Sequence, residues 1–277
     1  MSDVQVFHHQ AMATHFQVRL AGPDPAYAAQ TAQAAFTLAD GLEAQLSRFR
    51  TGSDISRIAR LAPGESLRVS EAVFACLEIA WRMELATRGA FSATAAALPS
   101  QGAAPQWTLL PEKSSVRCDR GRVEFDLGAI GKGFALDRMA ELLREWDWPA
   151  FLLNAGGSSI LAGDAPSGRA GWSCGLGEDN ASVRYWLTKV SLSGSGLAVK
   201  GKHIVDPRTG RSARRENRAW ALCDSAAESD ALSTACMVWA ETERVEILAA
   251  EKSWRVFLEE GGGVRSFGNR PLPPLAL

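Results

Sequence analysis

Asp126-Leu127-Gly128-Ala129-Ile130-Gly131-Lys132-Gly133-Phe134-Ala135-Leu136-Asp137 reads as the end of a strand passing through a glycine turn into a helix, with a lysine at the mouth. Upstream, Val123, Phe125 and Leu127 alternate with Glu124 and Asp126 at the period of a half-buried strand. Downstream, Ala135, Leu136, Met139, Ala140, Leu142 and Leu143 recur at helical spacing and leave Arg138, Glu141 and Arg144 for solvent. A helix start offers free N–H groups and the positive end of its dipole, and glycines let an anion approach closely. Such a turn is suited to phosphate, with Lys132 adding a full charge; the same residues also read as a tight connection whose lysine faces water. Two named phosphate motifs are excluded. The P-loop requires glycine where Asp126 stands and Ser or Thr where Gly133 stands, and the segment does not fit G-x-G-x-x-G.

The rest of the chain has room for a large core, since 277 residues suffice for one big domain or two lobes sharing a cleft. Hydrophobic residues at 46% and charged residues at 22% are ordinary for a globular protein, and a net charge of -1 gives no general pull toward nucleic acid. Any anion specificity is therefore local. Five scattered cysteines without a C-x-x-C pair suggest neither a zinc knuckle nor a disulfide framework, and fit a reducing compartment. The N-terminus lacks a basic region followed by an apolar run, and no stretch approaches membrane-spanning length, so no membrane insertion is expected and the expected location is cytoplasmic.

Along the chain, Phe16, Val18 and Leu20 mark a strand over Thr14–Leu20, and Ala35, Leu38, Leu42 and Leu46 mark a long helix over Pro25–Leu46. Turn and capping residues in Ser47–Ser56 predict a loop and then a short helix; Ser70 is a candidate cap for another, ending near Gly89. Ala150–Leu153 is a second buried strand after the opening motif, giving strand–helix–strand, and Asn154-Ala155-Gly156-Gly157-Ser158-Ser159 follows it at once. Such a loop is either a ligand-binding edge or a simple turn. Val190–Gly196 is small and reads as flexible, while Asp206-Pro207-Arg208-Thr209-Gly210 is a turn with Pro at its second position. Ala219–Cys223 predicts a short strand, a helix begins near Asp230, and a helix and a hairpin across Gly261-Gly262-Gly263 complete the chain.

Two groups of residues carry chemistry. Asp230 and Thr234, four apart on a helix, project oxygens from one face and suit a hard cation such as magnesium; an N-cap aspartate with a back-bonding threonine is the alternative. His203 lies on a loop between two lysines and a Pro-Arg-Thr-Gly turn, a candidate general base or a structural histidine, whereas His8 and His9 read as surface residues.

Taken in order, these segments resemble the ApbE family of flavin transferases, which take FAD and attach FMN through a phosphoester to a Thr or Ser of a target protein, releasing AMP. Met12-Ala13-Thr14-His15-Phe16 is similar to the family's Met-Gly-Thr start, and Leu46–Arg50 with Asp54–Arg57 to its L-S-x-aromatic-basic and S-x-I-S-R segments. Asp126–Asp137 resembles D-L-G-G-I-A-K-G-Y-A-V-D, Asn154–Gly157 is N-A-G-G, His203–Gly210 resembles H-I-I-D-P-R-T-G, and Ala227–Ala235 resembles A-x-x-A-D-A-L-A-T-A. The chain differs in having Ser92-Ala93 where relatives carry Asp-Pro, Ser158 in place of an acidic or amide residue, Phe49 in place of a tyrosine, and Val199-Lys200 in place of an aromatic region.

The resemblance implies that the Ala129 carbonyl, Asp230 and Thr234 hold Mg2+, with Ser233 where some members carry another carboxylate. It implies that Met12, Phe49, Ala90, Phe91, Asp126, Lys132 and Val205 line the FAD site, beside Gly156 and Gly157 of the Gly-Gly loop, and that His203 assists deprotonation of the acceptor hydroxyl. The implied fold is α/β in the broad α+β sense: one domain over 1–277, two lobes of mixed, mostly antiparallel sheet flanked by helices, with FAD between them. The implied activity is FAD:protein FMN transfer to a Thr or Ser of an acceptor protein; hydrolysis of FAD to FMN and AMP, or FAD binding without turnover, are the alternatives.

Overall fold

A computed structural model of the chain describes residues 3–95, 105–176, 183–196, 204–213, 218–260 and 263–276. Its centre is an eight-stranded sheet in the order β1-β2-β6-β7-β10-β13-β14-β15, every neighbouring pair antiparallel. The strands are β1 (Val4–Ala11), β2 (Thr14–Ala21), β6 (Phe151–Ala155), β7 (Ser159–Ala162), β10 (Val190–Gly196), β13 (Arg218–Cys223), β14 (Arg255–Glu260) and β15 (Gly263–Phe267).

Alternation along these strands builds two cores. On one face Phe16, Val18, Leu20, Phe151, Leu153, Ala221, Val256 and Leu258 pack against α1 (Pro25–Leu46), α4 (Gly131–Glu145) and α5 (Ala226–Cys236). The other face brings Leu152, Leu192, Leu222 and Phe257 against the hairpin of β8 (Trp172–Leu176) and β9 (Val183–Leu187). A three-stranded sheet, β3 (Ser66–Arg68), β5 (Ser115–Arg120) and β4 (Gln106–Leu110), joins the first core beside α2 (Asp54–Ile58) and α3 (Glu71–Ala86). The pair β11 (Val205–Asp206) and β12 (Arg211–Ser212) and helix α6 (Glu241–Ala250) complete the described strands and α-helices. Mixed helices and antiparallel sheet agree with the expected fold class.

Local chemistry explains the helix limits. Asp24 accepts from the Ala26 and Tyr27 N–H groups and Pro25 occupies the first turn of α1; Ser53 caps α2 and Ser70 caps α3. No helix of the described residues is long and apolar enough to cross a membrane.

Three expectations need correction. Residues 122–127 form no strand. Val123, Phe125 and Leu127 are buried, but by packing under the small sheet, where Trp107 meets Phe125 edge-on with ring centroids 4.9 Å apart. The Asp126 N–H goes to the Ala93 carbonyl, outside any ladder. Period-two burial thus arose without strand pairing. With no strand leading directly into α4, and β5 belonging to the small sheet, the expected strand–helix–strand unit is absent, and β6 lies antiparallel between β2 and β7.

Val190–Gly196 is a strand inside the sheet rather than a flexible segment. Its small residues are required by its neighbours: a Cβ on Gly194 would lie 2.8 Å from the Trp220 ring, and its serine hydroxyls are taken up by α5. Helix α5 starts at Ala226 with Ser225 as cap, rather than near Asp230, so Asp230 sits in its interior and is not an N-cap.

Candidate active site

The site grows from the place where α4 crosses the start of α5. A Cβ added to Gly133 would lie 2.0 Å from the Ala226 carbonyl oxygen, so the helices touch backbone to backbone. One turn along α4, the Asp137 carboxylate accepts from the Ser225 hydroxyl at 2.7 Å and from the Ala226 and Ala227 N–H groups at 2.7 and 2.9 Å. These are orphan donors of the α5 N-terminus, capped from a neighbouring helix. Burial raises the Asp137 pKa, opposed by those three hydrogen bonds.

That crossing sets the carboxylate of Asp230, 3% exposed, against the first turn of α4. Its Oδ2 accepts from the Gly133 N–H at 2.9 Å and lies 3.3 Å from Lys132 Nζ, while Oδ1 accepts from the Ser159 hydroxyl at 2.5 Å. In the protein alone, the anion at this helix start is therefore its own aspartate. Both oxygens of Asp230 retain acceptor capacity beyond these bonds. Thr234 and Ser233, in the next turn, meet the Ser195 hydroxyl of β10 at 3.1 and 2.9 Å. Ser191 and Ser193 each reach Ser229 at 2.7 Å, which fixes the rotation of α5 on the sheet. Ala129 lies in the turn just before α4. Asp230 and Thr234 supply hard oxygen donors, a set that fits Mg2+ better than a soft metal.

Ser159 escaped the sequence reading, which marked its neighbour Ser158. Only the hairpin pairing Ala155↔Ser159 turns the Ser159 hydroxyl inward to α5. Water cannot replace it, because Ser159 is completely buried. Ser159→Ala is expected to cost about 1.5–3 kcal/mol, the range for a hydrogen bond to a charged group. An unchanged denaturant midpoint would remove Ser159 from this account.

Most of the other predicted positions fall in turns and loops. Asp126 Oδ1 accepts from the Gly128 N–H at 2.9 Å, shaping the turn, and its Oδ2 is 3.4 Å from Arg48. Arg48 also stacks on Phe49, which is 82% exposed. Met12 and Ala13 form the two-residue turn of the β1–β2 hairpin with φ of 51° and 53°. Gly156 presses against that hairpin: its N–H donates to the His15 carbonyl at 2.9 Å, and a Cβ there would lie 2.3 Å from Thr14 Oγ1. Gly157, also at positive φ, has open space around it, and its N–H is held by Asn154 Oδ1 at 2.9 Å. Ser158 anchors the loop to β10 by accepting from the Gly194 N–H at 2.6 Å.

Other positions are less available. Ala90 and Phe91 are 1% and 2% exposed, so their side chains belong to the core, and their N–H groups are taken by the Thr87 carbonyl and the Thr87 hydroxyl. Next to them the Ser92 hydroxyl donates to Glu84 Oε2 at 3.1 Å. A carboxylate thus stands beside Ser92 after all, supplied from α3 eight residues earlier. Burial raises the Glu84 pKa, and the Ser92 hydrogen bond opposes the rise. Val205 sits in β11 ahead of the Asp206 turn. Burial of Asp206 works against its charge, but the hydrogen bonds and charge of Arg208 prevail and hold its carboxyl below the usual aspartate range. His203 lies outside the described residues.

Residues 12–258 match the ApbE family. An FAD:protein FMN transferase of Klebsiella pneumoniae is 21% identical over 308 aligned positions, covering 96% of this chain and 87% of that protein. Another, from Treponema pallidum, is 24% identical over 282 positions, covering 82% and 76%. Among solved structures, the flavin transferase ApbE from Vibrio cholerae is similar with a TM-score of 0.83 at 18% identity, covering 96% of this chain and 97% of that one. The apbe protein of Thermotoga maritima gives a TM-score of 0.80 at 21% identity, covering 95% and 96%. At these identities the structural likeness is one of fold. The family match spans the site from the Met12 turn to Thr234 in α5, and the chain belongs to the ApbE family.

Proposed function

We propose that the protein is a magnesium-dependent FAD:protein FMN transferase acting on a Thr or Ser of an acceptor protein. The observation that supports this reading most is the buried carboxylate of Asp230, aimed from α5 into the first turn of α4 beside Lys132. Asp230, Thr234 and the Ala129 carbonyl would hold Mg2+, which when bound offsets the charge of the FAD pyrophosphate.

The chain's own groups do the rest. Lys132 favours pyrophosphate oxygens through its charge, Gly157 leaves room at the mouth, and exposed Phe49 offers an aromatic face for stacking. The acceptor hydroxyl attacks the FMN-side phosphorus, a new P–O bond forms, the bond to the AMP phosphate breaks, and AMP leaves with its electron pair. His203 is assigned to take the hydroxyl proton. Most of the acceleration then comes from positioning and charge stabilisation.

The test incubates the purified protein with FAD, Mg2+ and a Ser/Thr-containing acceptor protein, and follows acceptor mass and AMP. An FMN-sized mass gain with stoichiometric AMP is expected. AMP with an unmodified acceptor would replace transfer by hydrolysis, and intact bound FAD would leave a binding protein.

A further inference from the structure

The β1–β2 hairpin carries a second set of ligand-type side chains, away from Asp230. His8 Nδ1 lies 2.8 Å from His15 Nε2, with ring centroids 5.0 Å apart. In the register His8 pairs with Gln17 and His15 with Gln10, so the two histidines are diagonal neighbours on one face. Both side chains are exposed. The two-residue turn at Met12-Ala13 fixes that register, and the His15 carbonyl is held by the Gly156 N–H. His9 points the other way and is already engaged, 2.7 Å from Asp40 and stacked on Phe36.

We infer that His8 and His15 form a binding site for a borderline divalent transition metal ion, of which Cu2+ is the strongest candidate. Two imidazole nitrogens on one metal at ~2.0–2.1 Å are ~2.9 Å apart when they meet it at a right angle, and ~3.4 Å apart in a tetrahedron. The observed 2.8 Å is the length of an N–H···N hydrogen bond and also lies close to the right-angle value that a tetragonal Cu2+ or Ni2+ site uses, so the rings need to turn toward a shared ion but not to move apart. On binding, the N–H proton lying in this contact moves to the other nitrogen of its own ring, so both neutral imidazoles turn a lone pair to the metal and no net proton is released. Solvent completes the coordination, since the site opens outward. Imidazole pairs do not suit Mg2+, so the site is chemically separate from Asp230 and Thr234. All five cysteines are buried and offer no competing thiolate at the surface.

The test titrates the purified full chain with Cu2+ by calorimetry and records its electron paramagnetic resonance spectrum. One tight equivalent is expected, with nitrogen splitting from two imidazoles. His8→Gln and His15→Gln should each weaken that equivalent about tenfold or more and reduce the splitting to one imidazole. His9→Gln should leave it unchanged, and melting curves of the metal-free variants check that each is folded. Equal Cu2+ affinity in the His8→Gln/His15→Gln double variant, or no bound equivalent in the wild type, overturns the assignment.

Discussion

Gly133→Ala is expected to lower the melting temperature by roughly 2–6 °C, although alanine is the better helix former by about 1 kcal/mol. The two effects oppose each other, and packing wins. A Cβ at this position would lie 2.0 Å from the Ala226 carbonyl oxygen and 2.7 Å from the Ala227 nitrogen, both backbone atoms that cannot rotate away. Relief requires α4 to shift from α5, which strains the Asp137 bonds to Ser225, Ala226 and Ala227. Overpacking of this kind costs about 1–3 kcal/mol, occasionally more. Gly131→Ala is the control, because its Cβ would meet only the Leu127 side chain at 3.6 Å, an ordinary contact. Equal melting temperatures for the two variants would show that the helix crossing tolerates separation.

This crossing also marks where sequence reasoning succeeds and where it stops. Local signals placed α1 at Pro25–Leu46, because a capping aspartate, a first-turn proline and an apolar stripe all act within a few residues. They also placed Asp230 and Thr234 on one helix face. Other features depended on distant partners. Val190–Gly196 looks flexible until Ser229, Ser233 and Thr234 are present to receive its serine hydroxyls. The alternation of Val123, Phe125 and Leu127 predicts burial correctly but not a strand, since pairing needs a neighbouring edge and burial needs only Trp107 and the core above it. Gly133 reads as a phosphate-turn glycine, whereas its missing side chain serves contact with Ala226. Ser159 and Glu84 were invisible because each acts on a residue brought to it by tertiary packing.

Asp230→Asn is expected to leave the protein folded and to reduce FMN transfer by about a thousandfold, corresponding to several kcal/mol of lost charge stabilisation. Asparagine keeps the side-chain volume and one acceptor oxygen for the Gly133 N–H. Its NH2 group can donate to Ser159, whose hydroxyl turns to accept, so the buried contact is exchanged rather than lost. What disappears is the negative charge beside Lys132 and the carboxylate assigned to Mg2+. Alanine would be a poorer probe, because it leaves the Gly133 N–H and the Ser159 hydroxyl without their acceptor in a buried place. The measurement is acceptor flavinylation by mass at saturating FAD over a range of Mg2+ concentrations, with a melting curve for each protein. A site that only weakened its hold on the metal would recover as Mg2+ rises; loss of the charge itself predicts a low plateau at every concentration. Turnover within tenfold of wild type at low Mg2+ would refute the assignment of Asp230, whatever the fate of the transferase reading, because acceptor modification would then proceed without that carboxylate.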